Sequence, residues 1–311
     1  MRLRRILIGT LSLVMVLLLA SGISLAAERA YHHIVVLGDP HLPGGTLHQK
    51  EQVRTTVNGW NDVDLVVAVG DITEEVGDDD EYAKAKAYFD LFTKPLALIG
   101  GNHDYIYEDS LSITGRKIKA RESTRVYKLD HFKKTFGLHE IYYTKSMGPY
   151  LLVFLTPDDL QASALTTISA TQYKWFAAIL AANKNKPTIV FFHGPLSGTL
   201  DKYNKNADTY DYVAQPSEEI RIILTDNPQV ILWVSGHTHT SPKEPSFAST
   251  VNLYEGRVMN IHTTDMKRKN IYTNSLFLYD EGIVVKTFDH GKGDWMPGLE
   301  RKVQRSRLST Q

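Results

Sequence analysis

"LALIGGNHDY", residues 96–105, carries the reading on which the fold turns. Leu96 to Ile99 is an apolar run with the length of a short buried strand, and it stops at a glycine pair. Asn102, His103 and Asp104 follow at once, so an amide, an imidazole and a carboxylate stand where the strand ends. Asn, Asp and Gly are turn formers, and a polar turn accounts for the segment taken alone. Whether it does more depends on partners elsewhere in the chain.

The same layout recurs. "HHIVVLGD" (32–39) runs apolar into Gly38-Asp39, with His41 two residues on. "VDLVVAVGD" (63–71) ends in Gly70-Asp71, "PTIVFFHG" (187–194) in His193-Gly194, and "PQVILWVSGHTH" (228–239) in Gly236-His237-Thr238-His239. Helical patterns lie between them: 46–60, 78–92 with acidic residues in its first turn, a stretch near 123–136, 169–183 and 217–227. In "SATQYKWFAAILAAN" (169–183) Trp175, Phe176, Ile179 and Leu180 recur at helical spacing and read as core. "EIYYTKS" (140–146) and "YLLVFLT" (150–156) read as strands, as do "RVMNIHT", "SLFLYD" and "GIVVKTFD" near the end, the last two joined by the tight turn Asp280-Glu281-Gly282. Strands alternating with helices imply a layered α/β fold with parallel strands. No internal repeat and no linker marks a second domain.

The composition agrees. Of 311 residues 42% are hydrophobic, enough for a sizeable core, and a net charge of zero gives no reason to expect a nucleic-acid polymer as partner. The chain has no cysteine, so disulfides are excluded and a transition-metal site must draw on His, Asp, Glu and Asn. The N-terminus has the three parts of a secretory signal peptide: Arg2, Arg4 and Arg5, an apolar run from Ile6 to Ala20, and a small-x-small site at Ser24 and Ala26. Cleavage after Ala26 would leave residues 27–311 as one exported domain, periplasmic, cell-wall or extracellular, without stable membrane insertion. The alternative is an uncleaved anchor over residues 6–26.

In open α/β sheets, sites form beyond the carboxyl ends of the strands. Side-by-side strands would therefore bring Asp39, His41, Asp71, Asn102, His103, Asp104, His193, His237 and His239 into one pocket. Hard oxygen and borderline nitrogen donors suit divalent Mn, Fe, Zn, Co or Ni. The set is large enough for two ions sharing a carboxylate, and two ions about 3.5–4 Å apart form a clamp for in-line displacement at phosphorus.

Asp39-x-His41, Gly70-Asp71, Gly101-Asn102-His103-Asp104, His193-x-Pro195 and Gly236-His237-x-His239 together resemble the calcineurin-like metallophosphoesterases, with all five blocks present and in that family's order. The resemblance implies a four-layer αββα sandwich of two mixed sheets with helices outside. It implies two divalent metal ions, one held by Asp39, His41 and His239, the other by Asn102, His193 and His237, with Asp71 bridging. It further implies attack of a metal-bound hydroxide on phosphorus; with the N-terminal signal pattern, the expectation is an exported phosphoesterase that hydrolyses a phosphodiester or small phosphomonoester. His103 would face the phosphate, and Asp104 would hold the other nitrogen of its ring. A non-catalytic metal-binding or interaction module on the same fold is the alternative, and intact ligands argue against it.

Departures narrow the expectation. Glu74 stands where the purple acid phosphatases place a tyrosine, three residues after the bridging Asp, so a charge-transfer iron site is not expected. "GDITEEVG" lacks the Asp-Arg-Gly pattern of the serine/threonine protein phosphatases. Substrate choice falls to the loops 105–149 and 197–217. The Lys/Arg run of the first reads mainly as a solvated face, and Tyr203, Tyr210 and Tyr212 of the second either stack on substrate or pack the loop. "DMKRKN" (265–270) reads as a solvated turn, with charge for a phosphate as the second option. His262 follows a strand close enough to approach the pocket, whereas His32, His33, His48, His131, His139 and His290 have no partner spacing.

Overall fold

The computed structural model describes residues 29–201 and 208–305. The proposed signal peptide and Tyr203 lie outside the described residues. Every element below belongs to one compact unit, Tyr31–Gln311.

In chain order the elements are β1 (His32–Leu37), α1 (Leu47–Gly59), β2 (Val63–Val69), α2 (Asp79–Phe89), β3 (Leu96–Ile99), α3 (Asn102–Tyr105), α4 (Glu122–Thr135), β4 (Tyr143–Met147), β5 (Tyr150–Phe154), α5 (Ala170–Ala182), β6 (Thr188–Phe191), α6 (Ser217–Asp226), β7 (Val230–Ser235), β8 (Leu253–Tyr254), β9 (Val258–His262), β10 (Tyr272–Tyr279), β11 (Gly282–Asp289), β12 (Asp294–Trp295) and β13 (Arg301–Gln304). They build two mixed sheets. The first has the order β12-β11-β10-β1-β2-β3, with β13 also on β11, and the second the order β4-β5-β6-β7-β9-β8. β1, β2 and β3 are mutually parallel in the first, and β5, β6, β7 and β9 in the second.

Strand alternation sorts the apolar residues into layers. Ile34 and Val36 of β1, Val67 and Val69 of β2, Ile189 and Phe191 of β6 and Leu232 and Val234 of β7 face one another in a core between the sheets. Val35, Leu37, Val66 and Ala68 face the other way, into a second core with Val53 and Val57 of α1 and Tyr82 and Phe89 of α2. Val190 and Trp233 face a third core with Phe176 and Leu180 of α5 and Ile220 and Leu224 of α6. Strands covered on both faces are apolar throughout, which is why they read as unbroken hydrophobic runs. The result is the four-layer αββα sandwich.

The helix starts follow their caps. Asp78 accepts a hydrogen bond from Glu81 N at 2.9 Å, and Ser169 accepts one from Gln172 N at 3.2 Å. Two parts of the chain differ from the sequence reading. Asn102–Tyr105 is a helical turn rather than a plain polar turn, and the segment after residue 290 supplies β12 and β13 to the edge of the first sheet. Among the described residues no helix is long and apolar enough to cross a membrane.

Candidate metal centre

The expected metal-binding residues all sit just beyond the carboxyl ends of parallel strands: Asp39 and His41 after β1, Asp71 after β2, Asn102 after β3, His193 after β6, and His237 and His239 after β7. Their backbone is under strain. Among the described residues six non-glycine positions have positive φ, and five of them are Asp39 (39°), His41 (46°), Asp71 (48°), His237 (66°) and His239 (49°). Such conformations cost about 1–3 kcal/mol each and persist where the surroundings over-determine them, typically at functional sites. The neighbouring glycines make room. Gly70 has φ +89°, and a Cβ there would lie 2.5 Å from His193 Nδ1. A Cβ on Gly101 would lie 2.4 Å from Asp71 Oδ1.

Backbone bonds lace the loops together. His237 N donates to Asp39 Oδ1 at 2.8 Å, His103 N to Asp71 Oδ1 at 2.9 Å, and His41 N to the Asp71 carbonyl at 2.9 Å. Lys50, buried on α1, donates to the carbonyls of His41 and Pro43 and pins the loop that carries Asp39 and His41.

The donor atoms form two sets, Asp39, His41, Asp71 and His239, and Asp71, His193 and His237, each lying within 4.8 Å of one another and sharing Asp71. Asn102 joins the second, its Oδ1 3.1 Å from His193 Nε2. His193 Nδ1 donates to the Val69 carbonyl at 2.8 Å, which leaves Nε2, 3.2 Å from Asp71 Oδ1, as the nitrogen on the side of the donor set. In the first set His41 Nε2 and His239 Nε2 stand 3.2 Å apart. Asp39 Oδ2 and His237 Nε2 are buried with no hydrogen-bond partner. Buried polar atoms are normally satisfied, and an orphaned ligand-type atom on a member of each donor set fits bound cations.

The electrostatics agree. Burial pushes His41 and His237 well below the usual imidazole range and so keeps them neutral, the form that ligates. Burial opposes ionisation of Asp71, but the charges of His193 and His103 outweigh it and hold the carboxyl well below its usual range. Burial likewise disfavours a charged His193, yet Asp71 raises it to about 9. Asp71 thus draws positive charge into the centre, whereas burial raises Asp39, and a divalent ion would displace the proton from His193.

His103 and Asp104 lie beside the donors, and the role expected for Asp104 needs correction. Its carboxylate does not hold the His103 ring. It accepts hydrogen bonds from Gly101 N (2.7 Å), Ile72 N (3.1 Å), Thr73 N (2.9 Å) and Thr73 Oγ1 (2.9 Å), because α3 turns its side chain back under the β2 loop. The ring's neighbour is Lys117, whose Nζ lies 3.3 Å from Nδ1 and 3.5 Å from Nε2 and is itself paired with Glu75 at 2.9 Å.

The donors open into a cavity of about 420 Å³, lined by Asp71, Asn102, His103, His237 and His239 together with Tyr107, Leu165, Tyr212, Thr238, Ser241, Glu244 and Arg268. Tyr107 accepts a hydrogen bond from Asn102 Nδ2 at 3.3 Å, and the Tyr212 ring lies 4.9 Å from that of His237. Tyr107, Lys117, Asp265 and Arg268 were not singled out from the sequence. "DMKRKN" is more than a solvated turn: Asp265 is buried 3.6 Å from His239 Nδ1, and Arg268 reaches the cavity. His262 stays out of the cavity. It is buried, and its Nε2 donates to the Thr199 carbonyl at 3.1 Å.

Comparison of the fold gives three useful neighbours. A dimetal phosphatase from Danio rerio aligns with a TM-score of 0.60 and 13% identity, over 89% of this chain and 100% of that one. Purple acid phosphatase PPD1 from yellow lupin (Lupinus luteus) seeds aligns at 0.57 and 14%, over 90% of this chain and 55% of that one. GAP50, the anchor in the inner membrane complex of Plasmodium, aligns at 0.55 and 12%, over 91% of each chain. At such identities the likeness speaks for the fold alone. No curated protein matches the sequence. The model of the calcineurin-like phosphoesterase family matches residues 32–241, a span that holds all seven donors. The chain belongs to the calcineurin-like phosphoesterase family.

Proposed function

We propose that the protein is an exported, dinuclear metal-dependent hydrolase of small phosphate esters. The observation that carries this reading is the pair of donor sets sharing one buried carboxylate, Asp71. Asp39, His41 and His239 would hold one ion, Asn102, His193 and His237 the other, and Asp71 both. The ions, when bound, would activate water and neutralise charge on the phosphoryl oxygens. Water adds to phosphorus, the bond to the ester oxygen breaks, and that oxygen takes up a proton.

His103 faces this space, its Nε2 3.9 Å from Asp71 Oδ2. Burial pushes it down to about 4, so its ring is neutral near pH 7. An ammonium can only donate, and Lys117 Nζ lies slightly nearer Nδ1 (3.3 Å) than Nε2 (3.5 Å); donation to Nδ1 would leave the proton on Nε2. Nε2–H then donates to a phosphoryl or leaving oxygen. Lys117, paired with Glu75, would set the tautomer in the place expected of Asp104. A cavity of about 420 Å³ suits a small ester rather than a polymer. Export rests on the three-part N-terminal pattern.

The fold alone does not decide for catalysis, since GAP50 is an anchor on a similar frame. The complete donor set and the His103–Lys117 pair favour the enzyme. The test is hydrolysis of a bis-aryl phosphate beside the matching mono-aryl phosphate, using metal-stripped protein with Mn, Zn, Fe or Co restored. Metal-dependent turnover supports the reading, and the ratio of the two rates assigns diester or monoester preference. Ion binding without turnover on any phosphate ester would favour the non-catalytic module.

A further inference from the structure

One wall of the cavity is not used by the hydrolysis. Arg268 and Glu244 both line it, beside Ser241 and His239. Arg268 is held in place: its Nε donates to Asp265 Oδ2 at 2.8 Å and its Nη2 to the His239 carbonyl at 3.1 Å. A guanidinium offers five N–H donors in a planar fork, so these bonds leave donors to spare, and among the described residues Nη1 has no protein partner. Glu244 is spent differently. Its backbone caps the turn that follows, while among the described residues its carboxylate makes no hydrogen bond or ion pair. Arg268 pairs with Asp265 and not with Glu244. An anchored fork with free donors suits a planar anion, and an unspent carboxylate suits an ammonium.

We propose that Arg268 and Glu244 form a leaving-group subsite, and that the substrate is a small phosphate ester whose alcohol carries a carboxylate and an ammonium group. The proposal rests on the phosphoesterase reading and names the substrate class of the same site. Both residues are specificity-determining, Arg268 for the carboxylate and Glu244 for the ammonium. The simpler role for Arg268 is support alone, since Asp265 lies 3.6 Å from His239 Nδ1 and Arg268 helps fix it. Support alone would govern ion binding and all substrates alike.

The test uses metal-loaded protein and three probes: O-phosphoserine, phosphoethanolamine, which lacks only the carboxylate, and 3-phosphooxypropanoate, which lacks only the ammonium. The expected kcat/KM of wild type favours O-phosphoserine over each partial probe by about tenfold or more, the scale of one charge-assisted hydrogen bond. Arg268→Gln should bring the ratio of O-phosphoserine to phosphoethanolamine close to one while keeping the ratio to 3-phosphooxypropanoate. Glu244→Gln should do the reverse, and Arg268→Lys should restore part of the first ratio. No preference in wild type, or a parallel fall on all three probes in Arg268→Gln with bound metal lost, overturns the proposal. If none of the probes is hydrolysed, turnover of the aryl phosphates decides the phosphoesterase reading separately, and the same three ratios are read as Kd values by calorimetry. Preserved and variant-sensitive Kd ratios would support the subsite, and equal Kd values would overturn it.

Discussion

At the scale of single residues, the centre collects groups that fit a bound cation. Left-handed backbone at five of the expected ligands and orphaned buried donor atoms are each unfavourable alone, and His41 Nε2 and His239 Nε2 stand 3.2 Å apart. His103→Ala should retain its metal ions yet lose about a hundredfold or more in kcat, the scale of a lost proton-donating group. Lys117→Met should lower kcat with little change in bound metal, because Nδ1 is then free to take the proton. Metal analysis beside steady-state rates checks both, and near-wild-type turnover in either variant would remove that residue from the reaction. Asp104→Asn belongs to a different class. Its carboxylate accepts four hydrogen bonds in a buried pocket, and an amide in its place would set an N–H against backbone donors. The expected loss of stability is about 2–4 kcal/mol, read as a fall in the denaturation midpoint. A variant that unfolds like wild type would contradict the buried-acceptor role.

At the scale of elements, the strands were the most legible part of the sequence. β1, β2, β6 and β7 are apolar on both faces and end at Gly-Asp, His-Gly or Gly-His, so their boundaries and the residues beyond them could be read directly. α5 shows the limit. Trp175, Phe176, Ile179 and Leu180 all fit a helical stripe, but only Phe176 and Leu180 are fully buried, because the sheet covers a narrower arc than the stripe spans. Phe176→Ala should therefore cost about 3–5 kcal/mol, and Trp175→Ala distinctly less. Equal losses in urea denaturation would contradict this packing. Side chains whose partners come from distant loops were not legible. Asp104 looked like a partner for the adjacent His103, but the helical turn of α3 aims it at the loop after β2. Lys117 reaches His103 from a segment with no periodic pattern, and Arg268 reaches the cavity from a run of charges that reads as solvated. β12 and β13 are too short to carry a period and owe their state to pairing with β11.

At the scale of the whole molecule, two sheets of different connectivity bring their carboxyl ends, and with them the metal-capable side chains, to one place. The buried histidines make this arrangement sensitive to acid. Burial lowers His262 to about 3, whereas in the unfolded chain it takes up a proton near 6.5. Below 6.5 the unfolded state therefore binds one more proton than the folded state, and stability falls as pH drops from about 6.5 towards 3, with a slope of about 1.4 kcal/mol per pH unit from this residue. Unfolding midpoints of wild type should fall more steeply over that range than those of His262→Gln, and identical slopes would contradict the assignment. Everything proposed for the reaction depends on Asp71 tying two ions into one reactive centre. The decisive experiment counts the metal equivalents bound by reconstituted wild type and by Asp71→Asn, together with turnover of an aryl phosphate. Two equivalents are expected in wild type, with turnover that appears only as the second ion binds, and loss of both ions in the variant. Two full equivalents in Asp71→Asn, or a wild-type protein that binds one ion or none, would contradict it.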